Sequence, residues 1–164
     1  MRFKQPEQKN EGLKLYDSLK KLLQIETDKI ALVESAICYF YIHGNENYHK
    51  FFKKLHEICI KCKLDLEMHI CVSAAVLPQT TIHEIKFEDF ESDLKVFELL
   101  AAIEDEYVDT LDAASMEAFD NKNWETFHYL AGVFAKVDHI ACRAYSAVKS
   151  HADVLALLPC EQHS

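Results

Sequence analysis

The stretch FESDLKVFELLAAIEDE (residues 90–106) carries the pattern that decides the fold. Its apolar residues recur every three or four positions, a spacing that keeps one face of an α-helix turned toward partner helices. Extended to residue 111, the seam consists of Leu94, Phe97, Ala101, Glu104, Val108 and Leu111. Glu104 is a carboxylate in this otherwise apolar seam, and burying it is costly unless it is paired, protonated or bound to a metal. The group that neutralises Glu104 therefore decides which chemistry the protein can perform.

The same helical spacing extends through most of the chain, which has only three Gly and three Pro in 164 residues. We predict helices over residues 11–42, 46–75, 89–119 and 124–151. At a rise of 1.5 Å per residue, each helix is about 40 Å long. Few and long elements of this kind are typical of a helical bundle.

Two short turns and one long connection separate these helices. Residues 43–47 (HGNEN) and 120–123 (DNKN) are rich in turn-forming residues, whereas residues 76–88 (VLPQTTIHEIKFE) have no helical period. The long connection can cross the bundle from end to end, which makes the second and third helices parallel. The predicted fold is all-α, a four-helix bundle with a long crossover between helices 2 and 3. The predicted divisions are a flexible segment 1–10, the bundle 11–151 and a short tail 152–164.

Charge and composition disfavour several classes of partner. The net charge is −9, which disfavours binding to nucleic acid and to anionic membrane surfaces. The sequence has neither an apolar run long enough to span a membrane nor the apolar core of a signal peptide near its start. The six Cys do not have the spacing of a disulfide framework, which fits thiols that stay reduced. We therefore expect a cytoplasmic protein.

The sequence resembles ferritins of the bacterial non-haem type over roughly residues 15–150. The resemblance rests on the helix spacing, the Leu77-Pro78 linker, residues 90–106 with Glu104 at the third-helix iron ligand, and the turn into WETFHYL (124–130). It implies a homo-oligomeric shell that stores iron, a di-iron ferroxidase centre inside each bundle, and no haem. The tail 152–164 is too short for the fifth helix of that family, so we expect that helix to be absent.

Most iron ligands of the family are replaced in this chain. Iron prefers oxygen and imidazole ligands, and ferritin-like bundles supply them as Glu and as Glu-x-x-His pairs on one helix face. Carried over by the resemblance, the five ligand positions fall on Thr27, Ile60, Lys63, Glu104 and Val137. Only Glu104 keeps a ligand, so we expect an inactive or very weak ferroxidase centre. In this interpretation a Lys63–Glu104 ion pair replaces the iron.

Shifting the alignment of the first helix with the family by one residue gives a different interpretation. Glu26 belongs to the first-helix seam by its spacing, and the shift brings it to the centre in place of Thr27. Glu26, Glu34 and Glu104 would then form a rearranged metal site that sustains Fe(II) oxidation.

The residues alone also allow a second candidate metal site. Cys59 and Cys62 are three positions apart on the inner face of the second helix and, with His139, could bind zinc or copper. Structural zinc sites usually take four ligands, however, and free Cys is commonly a small core residue.

These observations leave three functions. The first is a ferritin-like cage subunit for iron storage, with a largely lost ferroxidase centre. The second is an active Fe(II) oxidase, and the third is a non-catalytic structural or interaction bundle. Apolar residues outside the seams favour self-association in each case; they are Leu32, Tyr39, Tyr41, Ile58, Tyr107 and Tyr129.

Overall fold

The structure, a computed structural model, describes the backbone of residues 6–149 and the side chains of residues 14–136. Its long helices are α1 (Pro6–Ile42), α2 (Glu46–Ala74), α3 (Asp93–Asp120) and α4 (Trp124–Lys149), with a short 3-10 helix (Phe87–Phe90) before α3. These bounds confirm the predicted four-helix order, although α1 begins at Pro6 and not at Glu11. The predicted tail and the expected absence of a fifth helix concern residues outside the described part.

Side chains at the helix starts explain where the elements begin. The Asn45 side chain accepts a hydrogen bond from the Tyr48 amide at the start of α2, and the Ser92 side chain accepts one from the Lys95 amide at the start of α3. Asn123 does the same for the Thr126 amide in α4. Each of these caps satisfies a backbone N–H that the helix itself leaves without a partner.

The crossover runs along α1. Gln24 exchanges two hydrogen bonds with the backbone of Thr81, at 2.8 and 2.9 Å. Further along, the Phe90 ring meets the Tyr39 ring at a centroid distance of 5.2 Å. α3 then starts beside the end of α1 and runs back, so that Ser18 donates to Glu117 over 3.0 Å at the opposite end. α2 and α3 are therefore parallel, as predicted.

The core has two apolar parts. Toward the end of α1 it is aromatic, built around Phe40, Phe52 and Phe97, and we call this region the aromatic end. Toward the start of α1 it is mostly aliphatic, with Leu19, Leu22, Leu23, Leu66, Ile70 and Leu111. A layer of buried charged side chains on α1 and α3 lies between the two parts. This layer positions the candidate site.

The outer surface of the bundle is mixed in character. Within residues 6–149 no helix has both the length and the hydropathy needed to cross a membrane. Several large apolar side chains are nevertheless exposed, and four of them follow one another on α2: Ile60, Leu64, Met68 and Val72.

Candidate functional site

A lysine lies at the centre of the charged layer. Lys29 Nζ is 3.3 Å from Glu26 Oε1 and 3.1 Å from Glu104 Oε1. The three residues are at most 1% exposed, and the ammonium also sits 4.3 Å from the centroid of the Tyr107 ring. Glu26 and Lys29 are neighbours on one face of α1 because they are three positions apart, and Glu104 faces them from α3. Lys29 is therefore a cation enclosed within the bundle.

The predicted Lys63–Glu104 pair is wrong. Lys63 Nζ lies 3.7 Å from Glu67 Oε1 on its own helix, with 28% of its side chain exposed. Ile60 is 45% exposed and also points away from the centre. At this level α2 instead turns Cys59 inward, and each single position along a helix rotates a side chain by about 100°. The inward-facing residue of α2 at this level is therefore Cys59 and not Ile60.

Thr27, the predicted first-helix position, does not take part in the charged layer. Thr27 is buried, but its hydroxyl donates to the Leu23 carbonyl over 3.0 Å, and its oxygen lies 3.2 Å from the Thr80 hydroxyl of the crossover, with which it is hydrogen-bonded. Glu26, one position earlier, is the residue that meets Glu104 across Lys29. The Val137 side chain lies outside the described residues.

The rearranged site of three glutamates does not form. Glu26 and Glu104 are brought together, but 58% of the Glu34 side chain is exposed and its Oε1 lies 2.9 Å from His56 Nε2. Glu34 follows Glu26 by eight positions, which rotates it by about 80° around α1 and out of the core. The structure thus leaves two carboxylates at the centre.

Two thiols complete the inner face of α2 at this level. Cys59 is 1% exposed, and burial raises its pKa even though Lys29 acts in the opposite direction. Burial likewise raises the pKa of the half-buried Cys62. The charge of Glu26 adds to this effect, and the charge of Lys29 opposes it. Both thiols are therefore protonated and neutral at pH 7. His139, their proposed co-ligand, lies outside the residues whose side chains are described, and within those residues no cluster of three metal-ligating side chains occurs.

The charges of the layer do not balance. Burial acts to lower the pKa of Lys29, but Glu26 and Glu104 outweigh it and raise the pKa above its usual value. Burial raises the pKa of Glu104, and Lys29 offsets this only in part. One ammonium faces two carboxylates, and the Oε2 atoms of both glutamates have no hydrogen-bond partner among the described residues. Glu104 therefore takes up a proton more readily than an ordinary carboxylate in water does.

The arrangement limits what the centre can do chemically. Lys29 keeps its proton and cannot act as a base, and burial followed by the charge of Glu26 raises the pKa of the Tyr107 phenol. Among the residues whose side chains are described, a divalent cation at this place would have to displace the ammonium and would find two carboxylates. A di-iron centre needs more oxygen and imidazole ligands than that.

Sequence reasoning identified Glu104 and Glu26 but missed Lys29. The signal was present, because Lys29 follows Glu26 by three positions and shares its helix face. A lysine one turn from a seam glutamate is a more local partner than a lysine on another helix, whose position depends on how the two helices align.

Known proteins were compared with this chain by sequence and by structure, and the structural comparison agrees with the four-helix fold described above. No protein-family profile matches the sequence, and no curated protein sequence matches it. Among solved structures, the chain is similar to Chlorobium tepidum ferritin, with a TM-score of 0.74, 14% identity and coverage of 86% of each chain. At this identity the likeness carries the fold alone. The chain has the ferritin-like four-helix bundle fold.

Proposed function

We propose that this protein is a cytoplasmic, ferritin-like shell subunit that takes part in iron storage without oxidising iron inside its own bundle. Its ferroxidase centre is replaced by the ion-paired layer of Glu26, Lys29 and Glu104. The observation that carries the proposal is the Lys29 ammonium, 3.1 and 3.3 Å from the two carboxylates. The fold shared with a ferritin supports the assignment to a shell subunit.

Lys29 fills the electrostatic role that a metal ion has in such a bundle. Its positive charge compensates carboxylates that would be costly to bury alone. The same charge repels an approaching Fe(II) ion, and the neighbouring Cys59 and Cys62 are protonated thiols. Iron is accordingly cargo of the assembled shell in this proposal, with weak or no binding inside the bundle.

Two further observations support the proposed cytoplasmic location and the proposed self-association. Cys38, Cys59, Cys62 and Cys71 are all free thiols, which suits a reducing compartment such as the cytoplasm. Exposed apolar side chains on α2 suit self-association.

Iron oxidation tests the proposal directly. Two Fe(II) ions per subunit are added in air, and the absorbance of the ferric product is followed against a protein-free control. We expect the same rate with and without the protein. Saturable oxidation much faster than the control would contradict the proposal and favour the oxidase.

A reconstruction tests whether Lys29 is what closes the site. Lys29→Ala, Cys59→Glu and Cys62→His together create a Glu-x-x-His pair opposite Glu26 and Glu104, and we expect this variant to bind Fe(II) and oxidise it. The matched control carries the same two Cys changes with Lys63→Ala and keeps the ammonium at the centre. Equal iron binding by both variants would show that Lys29 does not block the site.

A structural or interaction bundle is the second candidate, because the lysine-filled centre serves it equally well. The mass of the assembly and its iron content after loading separate the two. A shell of many copies that retains iron supports the storage subunit, whereas a small assembly without iron supports the interaction bundle.

A further inference from the structure

A groove of about 420 Å³ lies where α1, α3 and the crossover meet, apart from the charged layer. This volume falls in the range of about 300–1,000 Å³ that small-molecule sites occupy. Ala31 on α1 and Ala102 on α3 both line the groove. Because a methyl group is short, these two positions leave space between the helices that longer side chains would fill. The space is therefore built into the packing of α1 on α3.

The floor of the groove is apolar. It consists of Leu32 from α1, Ile85 from the crossover, and Leu99 and Ile103 from α3. Leu32 is 4% exposed, and the other three are partly buried and pack against the aromatic end. Apolar surface of a ligand that covers this floor is removed from water, which favours binding. The floor therefore selects a ligand with an apolar body.

The rim of the groove is acidic. Asp28 and Glu106 line it from α1 and α3, and Asp89 lines it from the short 3-10 helix. Asp28 comes first along the chain among the lining residues of α1, and Glu106 comes last among those of α3. Because α1 and α3 run antiparallel, these two carboxylates lie at the same end of the groove. Negative charge is therefore concentrated at this end.

The present partners of these two carboxylates leave room for another cation. His83 Nδ1 and the Gln24 amide nitrogen both lie 2.9 Å from Asp28 Oδ1. Lys21 Nζ is 3.9 Å from Glu106 Oε1, and more than half of each of these two side chains is exposed. A carboxylate offers about four lone-pair positions to donors. Asp28 and Glu106 can therefore each accept a further hydrogen bond from a bound cation.

We propose that this groove binds an amphipathic organic amine, that is, a small cation with an apolar body. The body lies on the apolar floor, and the ammonium lies between Asp28 and Glu106. An ammonium fits this end because it donates three hydrogen bonds, and those to carboxylates are charge-assisted and strong. The net charge of −9 favours the approach of a cation and disfavours that of an anion. The proposal goes beyond iron storage and depends neither on a shell nor on the charged layer.

Three probes with the same ring and the same two-carbon chain test the selectivity. They are phenethylamine, phenethyl alcohol and hydrocinnamate, whose head groups are cationic, neutral and anionic. Isothermal titration calorimetry at pH 7 measures their binding to the full chain. We expect the amine to bind at least about tenfold more tightly than the alcohol, and the anion to bind more weakly than both. Equal affinities for the amine and the alcohol, or no binding of the amine at millimolar concentration, would overturn the proposal.

Filling the groove tests the location of the site. Ala102→Leu places a longer side chain in the groove, and we expect the affinity for the amine to fall by more than about tenfold. The matched control is Ala113→Leu, because Ala113 is also exposed on α3 but lies about three turns further along, outside the groove. The control should bind the amine like the parent protein, and circular dichroism checks that both variants remain helical. An unchanged affinity in Ala102→Leu, or an equal loss in both variants, would overturn the proposed location.

Removing the charges at constant shape tests the role of the carboxylates. In Asp28→Asn/Glu106→Gln the affinity for the amine should fall to that for the alcohol, while the affinity for the alcohol stays the same. The matched control is Asp105→Asn/Asp112→Asn, which removes the same charge from exposed positions of α3 outside the groove. This control should keep the preference for the amine. Loss of the preference in both variants would show that the overall charge of the chain attracts the amine, and the proposed site would be wrong.

Discussion

The charged layer and the aromatic end are equally buried, but different physics holds them together. Phe40, Phe52 and Phe97 are 0% exposed, with ring centroids 5.4 to 6.3 Å apart. Glu26 and Glu104 are also 0% exposed, yet each carries a charge and an oxygen without a hydrogen-bond partner among the described residues. Each ring contributes to the stability of the fold according to the apolar area and the volume that it buries. Each charged residue stabilises the fold only while its partners remain.

The difference shows that burial alone does not make the layer a source of stability. A buried ion pair is often no more stabilising than apolar residues of similar size, because desolvation offsets the attraction. The aromatic end shows that α1 and α3, together with α2, also pack against each other through apolar side chains. In the proposed function, the lysine stands where a ferritin-like centre has its metal.

The largest effect should follow removal of the central cation. Lys29→Met leaves two carboxylates buried together, and breaking a buried pair costs about 3–5 kcal/mol. We expect a loss of free energy of unfolding at the upper end of this range, measured by urea denaturation. Lys63→Met is the matched control and should change stability by less than about 0.5 kcal/mol, because the Lys63–Glu67 pair is partly exposed. Equal losses in both variants would contradict the central role of Lys29.

A somewhat smaller loss is expected at the aromatic end. Phe97→Ala removes a fully buried ring that contacts Phe40 and Phe52, and the expected cost is about 3 kcal/mol from lost burial and the remaining cavity. This loss should be the same at pH 5 and pH 8, since no charge is involved. A clear pH dependence of the loss would show that the two regions are coupled.

The pH dependence of stability should sharpen the comparison further. Burial raises the pKa of Glu104 above the usual 4.5, so its proton stabilises the folded state at low pH. This contribution is lost as the pH rises from about 4.5 through the raised pKa, with a slope of at most about 1.4 kcal/mol per pH unit. Glu104→Gln should remove the slope, whereas Glu98→Gln on the outer side of α3 should keep it. The readout is the free energy of unfolding across that range.

The smallest effect should come from replacing the whole layer. The triple variant Glu26→Leu, Lys29→Met and Glu104→Leu turns the centre into an apolar layer like the aromatic end. Such replacements are often neutral or stabilising, so we expect a change within about 1 kcal/mol of the parent protein. A loss as large as that of Lys29→Met alone would mean that the layer stabilises the fold by itself.

The sequence alone predicted the four helices, the crossover and the buried position of Glu104. Helical periodicity is local, and the spacing of apolar residues within one segment is enough to assign its buried face. The length of residues 76–88 likewise indicated a crossover, and its consequence, parallel α2 and α3, followed from topology. Glu104 could be placed in the core because its neighbours in the seam are all apolar.

Only the tertiary structure decided which cation Glu104 meets. A displacement of one residue between helices moves each side chain by about 1.5 Å along the axis and about 100° around it. Such a displacement decides whether Ile60 or Cys59 faces the core and whether Thr27 or Glu26 contacts Lys29. Periodicity within each helix does not report this alignment, because it arises from how side chains of different helices interlock. The interlocking places Lys29 between two carboxylates, so that Lys29 and not the predicted Lys63 forms the ion pair with Glu104.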